Sequence, residues 1–280
     1  MIIKCWGSRG SIPVSGRNVL KYGGDTTCIE VRTEDNEVII IDAGSGIRNL
    51  GNVLANEKLR ECTILFTHYH WDHTLGLPFF KPVYMDGMQI SIYGCSQTEN
   101  SLEEVIPRLM VSPYFPVDLH NVHSNIVYHK VCDTGFQIGS VSVTPISLSH
   151  PNRCLGYKLV ENNKCAVIFT DNELTFKHPG GLDYNDYRDF AHNADLFIHD
   201  AQYTQKEYET KIGWGHSVYT DALKLALEAG VSRFGLFHHD PERTDAELDK
   251  IVDDCNKQVK MDNSTNLDCF AVYEGMEINL

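Results

Sequence analysis

The 280-residue sequence predicts one layered α/β domain. Three observations carry that reading. Short apolar runs such as Ile39-Ile40-Ile41, Ile64-Leu65-Phe66 and Leu196-Phe197-Ile198 read as buried strands. Helical apolar spacing appears between such runs, most clearly over 217–229, where Ala222, Leu225, Ala226 and Ala229 share one face. No linker, low-complexity tract or repeat at a solenoid period interrupts the chain. With 42% hydrophobic residues it can bury one large core or two small ones, and one is simpler.

Taken in order, 1–8, 28–33 and 37–42 are strand-like, with Glu34-Asp35-Asn36 as a hairpin turn between the last two. Two glycine-rich loops, Gly7-Ser8-Arg9-Gly10-Ser11 and Tyr22-Gly23-Gly24-Asp25-Thr26-Thr27, separate the first pair. Asp42-Ala43-Gly44-Ser45-Gly46 ends the third strand, 47–56 is a short helix, and 89–94 is another strand. Ser101-Leu102-Glu103-Glu104 has capping-box spacing and starts a short helix. Residues 111–125 hold two prolines, two aromatics and two histidines and read as an irregular loop, so an insertion or flap is expected around 95–130. Strands resume at 126–131 and 140–147, followed by a hairpin of 155–160 and 165–170 turned by Asn162-Asn163. Beyond the 196–198 strand, helix 217–229 stops at Gly230, 234–237 is a strand, 245–259 a helix and 269–280 a closing strand.

Composition excludes some functions. No stretch approaches the ~20 apolar residues of a membrane span, and the N-terminus reads as a strand rather than a signal peptide. The nine cysteines contain no C-x-x-C pair, and most sit in strand-like surroundings (Cys5, Cys28, Cys62, Cys165, Cys269). They are expected to be reduced core residues of a cytoplasmic protein. A net charge of −14 without any Lys/Arg cluster argues against long nucleic acid as partner. A small anionic substrate stays compatible, because bound divalent cations reverse the local field.

Thirteen histidines is a high count, and residues 68–73, His-Tyr-His-Trp-Asp-His, concentrate them directly after a buried run. Alternate residues of a straight strand face the same way, so His68 and His70 are expected to chelate one ion together. Asp72 and His73, where the chain turns, are expected to face a second. Imidazole with carboxylate suits zinc best, with manganese or iron as substitutes. The bland alternative, four unrelated polar side chains on a loop, suits a lone His-x-His better than this string. Other apolar strands end alike, delivering His150, Asp171, His199-Asp200 and His238-His239. Loops at strand ends are placed by a rigid scaffold, so five such endings argue for one shared site.

The string resembles the His-x-His-x-Asp-His signature of the metallo-β-lactamase superfamily, and the resemblance runs nearly end to end. It implies a four-layer αββα sandwich with a dimetal site along one edge of the two sheets. Carried over, His68, His70, His150 and Asp171 hold one metal, while Asp72, His73, Asp171 and His238 hold the other. Asp42-Ala43-Gly44 matches the turn behind those ligands. The segments 194–201, 215–217 and 229–231 leading to Leu236-Phe237-His238 resemble the ribonuclease Z-like phosphodiesterase branch. That branch pairs an acidic residue with a histidine beside the metals, and Asp200 and His216 stand there, with Asp where the ribonuclease has Glu. The glycine-rich opening loops are similar to a bacterial subgroup near the cyclic-nucleotide phosphodiesterases.

The resemblance implies a hydrolase that attacks a small phosphodiester, such as a cyclic nucleotide, with hydroxide held between two metals. Asp72 would hold or accept the proton, and His216, oriented by Asp200, would serve the leaving group. A tRNA 3′-processing endonuclease and a non-hydrolytic metal-bound sensor are the competing readings. The remaining histidines are expected outside the chemistry: His199 structural or exposed, His239 behind the site or on the surface, and His120, His123, His129, His178 and His192 packed or solvated. Arg9 either serves a tight turn or holds phosphate. Trp71 and Trp214 are expected to pack as walls, and Tyr114-Phe115-Pro116 to form a substrate flap or a homodimer contact.

Overall fold

A computed structural model describes residues 1–95, 102–262 and 266–280. Its first sheet contains β1 (Ile2–Gly7), β2 (Cys28–Arg32), β3 (Val38–Ile41), β4 (Glu61–Leu65), β5 (Gln89–Gly94) and β6 (Asn125–Lys130), in that order. The second contains β7 (Phe136–Ile138), β8 (Val141–Leu148), β9 (Cys154–Glu161), β10 (Lys164–Phe169), β11 (Leu196–Asp200), β12 (Arg233–Phe237) and β13 (Asp268–Ala271), also in chain order. A last strand, β14 (Glu277–Asn279), returns to the first sheet beside β1. The helices are α1 (Ile47–Asn56), α2 (Trp71–Thr74), α3 (Leu102–Val105), α4 (Tyr184–Ala191), α5 (Gln205–Tyr208), α6 (Tyr219–Ala229) and α7 (Asp245–Met261). The expected cap of α3, Ser101, lies outside the described residues.

Strand alternation explains the four layers. Ile39, Ile41 and Leu65 point inward against Val143, Tyr157, Leu159, Ala166 and Ile168 of the facing sheet. Their neighbours Ile40, Ile64 and Phe66 point outward, where Ile47, Leu50 and Leu54 of α1 cover them. On the far side, Val167, Phe169 and Phe197 pack under α4, α6 and α7. A strand buried on both faces must be apolar at every position, which is why these runs read as continuous.

Strand direction sets the site. In the first sheet β3, β4 and β5 run parallel, so the residues after each emerge at one edge. In the second, β10, β11 and β12 are parallel, and β8 matches them because both it and β10 are antiparallel to β9. Leu155 N–H donates to Thr67 O at 2.9 Å and Tyr157 Oη–H to Phe66 O at 2.7 Å, locking the two edges together. Tight turns agree with their residue types: Asn162 and Asn163 both take positive φ, and Gly230 closes α6 in the left-handed conformation.

Two expectations fail here. The closing stretch is not one strand: β13 ends the second sheet, the chain turns at Gly275 (φ 85°), and β14 crosses to the first. The cysteines are not all reduced. Cys95 follows β5 and Cys132 follows its parallel neighbour β6, which places them side by side in a disulfide across 37 residues of sequence. The other seven are free, six of them buried. Cysteine usage therefore no longer argues for a reducing compartment. Among the described residues, no helix is long and apolar enough to cross a membrane.

Candidate metal centre

The histidine string does not lie on a strand. Strand β4 ends at Leu65, His68 sits in the following turn, His70 precedes α2 with extended backbone, and Asp72 and His73 lie within that single helical turn. Helical geometry, not strand alternation, turns the second pair away from the first. His68, His70 and His150 form one compact group and Asp72, His73, Asp171 and His238 another, while His216 forms two more, with His150 and Asp171 and with Asp200 and His238. Within each group the ligand atoms lie within 4.8 Å of one another.

Hydrogen bonds fix which imidazole nitrogen faces the centre. A carbonyl or carboxylate oxygen can only accept, so the ring nitrogen touching it carries the proton and the other nitrogen keeps a lone pair. His150 Nδ1–H donates to Gly215 O at 2.8 Å, His73 Nδ1–H to Asp42 Oδ2 at 2.7 Å, and His238 Nδ1–H to Gln202 Oε1 at 3.0 Å. Thr67 donates its hydroxyl proton to Asp42 Oδ2 at 2.7 Å, leaving its oxygen to accept from His68 Nδ1–H at 3.1 Å. His68 and His150 therefore turn a bare Nε2 inward, while His73 and His238 point theirs at the carboxylates of Asp171 and Asp72. His70 approaches with Nδ1, 3.1 Å from His150 Nε2.

Asp171 lies between the groups. Its Oδ1 is 3.1 Å from His73 Nε2, and its Oδ2 is 3.3 Å from His238 Nε2 and 3.8 Å from Nε2 of both His68 and His150. Asp72 Oδ2 is 3.1 Å from His238 Nε2 and accepts the Ser11 N–H at 2.7 Å. Burial pushes the His68 imidazole well below its ordinary pKa, keeping it neutral. Burial also pushes His238 down, yet Asp171 and Asp72 more than reverse this, raising it to about 9. The carboxylates thus demand positive charge in a largely buried site.

A metal fits that demand. His68 Nε2, His73 Nε2 and Asp171 Oδ1 are buried without a hydrogen-bond partner. Orphaned polar atoms of this kind are rare and costly, at about 1–3 kcal/mol each. Three converging in one cluster of imidazole and carboxylate match the donor set of divalent transition metals.

Backbone strain supports the placement. Asp42 (φ 63°) and His238 (φ 57°) take left-handed conformations at strand ends, costing ~1–3 kcal/mol each. Gly215 is also left-handed (φ 96°), and a Cβ there would stand 2.2 Å from His150 Nδ1. The Gly7–Ser11 loop serves the centre through its backbone and through Gly10, where a Cβ would meet the His238 ring at 2.3 Å.

Other expected residues divide. Asp200 Oδ2 lies 3.0 Å from His216 Nδ1, and the His216 ring stacks on His238 at 4.7 Å, beside a cavity of about 420 Å³. Arg9 does not reach that cavity. It is fully buried and donates to the carbonyls of Gly23, Asp240 and Arg243, a clamp that holds loops together. Nε and Nη1 go to main-chain oxygens, Nη2 is buried without a partner, and no part of Arg9 reaches solvent, so it does not hold phosphate in that cavity. His199 and His239 are buried and structural, bonding Asp200 O and Val272 O. Trp71 and Trp214 are 81% and 60% exposed, and Trp71 lines the cavity beside the centre.

Sequence reasoning missed Glu173. This buried carboxylate accepts from Gly213 N–H and Tyr208 Oη–H on one oxygen, and from Gly215 N–H and His178 on the other. It stands two residues past Asp171, so the strand-end rule that found Asp171 could have found it. Gln202, two past Asp200, was missed in the same way.

Comparison with known proteins agrees with this architecture. Residues 37–239 match the beta-lactamase superfamily domain. Ribonuclease Z of Oceanobacillus iheyensis is 22% identical, with 96% of this chain and 98% of that protein aligned. Among solved structures, unliganded yeast PDE1 superposes with a TM-score of 0.72 at 15% identity, covering 100% of this chain and 99% of that one. The short form of human tRNase Z gives 0.68 at 20% identity, covering 100% and 99%. The match over most of the length, on two helix-flanked mixed sheets, means that the chain belongs to the beta-lactamase superfamily, with the metallo-β-lactamase fold.

Proposed function

We propose that the protein is a metal-dependent hydrolase of small phosphodiesters, with cyclic nucleotides as the first class of substrate. The observation that carries this reading is the Asp200–His216 pair, stacked against His238 at the edge of the metal-competent cluster. In the proposal His68, His70, His150 and Asp171 hold one divalent ion, and Asp72, His73, Asp171 and His238 hold a second, with zinc best suited to these donors. When bound, the ions neutralise phosphate charge and acidify water.

The chain's own residues then act on protons and orientation. Asp72, on the cavity wall and steadied by the Ser11 N–H, takes the proton of the attacking water. As the new oxygen–phosphorus bond forms and the ester bond breaks, the leaving alkoxide needs a proton. His216 presents Nε2 for it, since Nδ1 is engaged by Asp200, which orients the ring.

A second reading is tRNA 3′-end processing, favoured by the nearly full-length match to ribonuclease Z. The net charge of −14 and the lack of a Lys/Arg-rich insertion weigh against a polyanion. The Asp200–His216 pair weighs against a non-hydrolytic sensor, which has no use for it. The test is metal-loaded protein offered cyclic nucleotides, linear dinucleotides and precursor tRNA side by side. Turnover of the small diesters supports the proposal; cleavage of precursor tRNA alone transfers it to the nuclease reading.

A further inference from the structure

Trp71 stands between His70 and Asp72 at the start of α2, with its ring turned out to solvent. It lines the metal cavity on one side and, on the other, a second cavity of about 640 Å³. Two chain segments build that second cavity. Residues 71–79 bring Trp71 and Phe79, and residues 108–115 bring Arg108, Leu109, Tyr114 and Phe115.

Phe115 meets Phe79 edge-on at 5.7 Å and packs against the outer core, so the loop is anchored at this point. Its neighbour Tyr114 is nevertheless 86% exposed, and Phe79 is 55% exposed. Large rings left in water forgo burial that folding would reward, and clustering them around one concavity marks a binding surface. The volume lies in the range of small-molecule sites, about 300–1,000 Å³. Among the described residues that line it, Arg108 is the one cation, on a wall that Thr74 apart is apolar and aromatic. Its guanidinium donors suit ring nitrogens and ring carbonyls as well as aromatic faces.

We propose that this cavity is the subsite for the base of a nucleoside phosphate, stacked on Trp71 and Tyr114 and hydrogen-bonded by Arg108, with its phosphate in the adjoining metal cavity. Only an occupant with a flat, acceptor-bearing ring at one end and an anion at the other uses both cavities through their shared wall. The placement of the phosphate rests on the phosphodiester reading above; the ring subsite is tested independently of turnover.

The experiment is calorimetric titration of metal-loaded full-length protein with adenosine 5′-monophosphate and with ribose 5-phosphate, which carries the same phosphate and no base. The nucleotide is expected to bind about tenfold tighter, within the range for one base on an aromatic platform. That preference is expected to fall to about twofold or less in Trp71→Ala and in Tyr114→Ala. Tyr114 sits away from the metal cluster, so its variant keeps the test decisive if Trp71→Ala disturbs the neighbouring histidines. Equal affinity for the two probes, no measurable nucleotide binding, or a preference that survives both substitutions overturns the proposal. So does sedimentation showing a wild-type dimer that Tyr114→Ala converts to monomer, which puts a second copy of the chain on the patch. A base preference without hydrolysis of any phosphodiester leaves the subsite standing and removes the phosphodiester reading instead.

Discussion

The N–H of Gly215 donates to Glu173 Oε2 at 2.7 Å, while the carbonyl of Gly215 accepts from His150 Nδ1 at 2.8 Å. One residue thus passes the hold of a buried carboxylate on to a ring in the metal-competent cluster. Glu173→Gln is expected to leave one side of the carboxamide facing hydrogen-bond donors with an NH₂ group, at a cost of about 1–3 kcal/mol for each donor left unpaired. Metal affinity should fall about 10- to 100-fold, as for other residues that orient a ligating histidine. Tyr208→Phe removes a different donor to Glu173 and spares Gly215, so it should lower stability in denaturant without changing metal affinity. Equal metal affinity in Glu173→Gln and wild type would remove the positioning role.

His216→Ala is expected to retain both proposed metals, because the ring's hydrogen bond goes to Asp200 and its nearest ligand oxygen, Asp171 Oδ2, stands 3.8 Å away. Turnover of a phosphodiester with a poor leaving group should drop about 10²–10⁴-fold. A nitrophenolate leaving group needs no proton, so the loss should shrink with such a substrate. Asp200→Asn should follow the same leaving-group pattern. Steady-state rates on the two substrates, with metal content measured on the same samples, decide this; a uniform loss on both points to structural damage.

Glu207 gives a pH-dependent prediction away from the cluster. Burial raises its carboxyl, but bonds from Arg243 at 2.6 Å and from Thr204 outweigh this and bring it to about 2. A carboxyl lowered by folding stabilises above its unfolded value, near 4.5, and that contribution disappears as pH falls through about 2. Glu207→Gln should therefore cost about 1–2 kcal/mol at neutral pH, after discounting for its partial exposure. The gap from wild type should narrow below pH about 4.5 and close near 2 in urea titrations of metal-stripped protein. A gap of constant size across that window contradicts the assignment.

Much of this was legible in the sequence, for physical reasons. Strands buried on both faces, such as β3 and β11, can only be apolar, so they announce themselves. Asp171 and His238 were visible because they end such runs. What stayed hidden depends on long-range placement. Arg9 resembles an anion binder until three carbonyls from distant loops are seen to take its donors. Cys95 and Cys132 become neighbours only once β5 and β6 pair in parallel. Strand alternation predicts that His68 and His70 face together, whereas a turn and one helical turn set where the rings of this string stand.

The most direct test is release of nitrophenol from bis(p-nitrophenyl) phosphate by metal-loaded protein, before and after a strong chelator and again after metal is restored. Steady turnover that disappears with the metals and returns with them is expected. Protein that binds two ions per chain through the seven proposed ligands and still leaves the ester intact would contradict it.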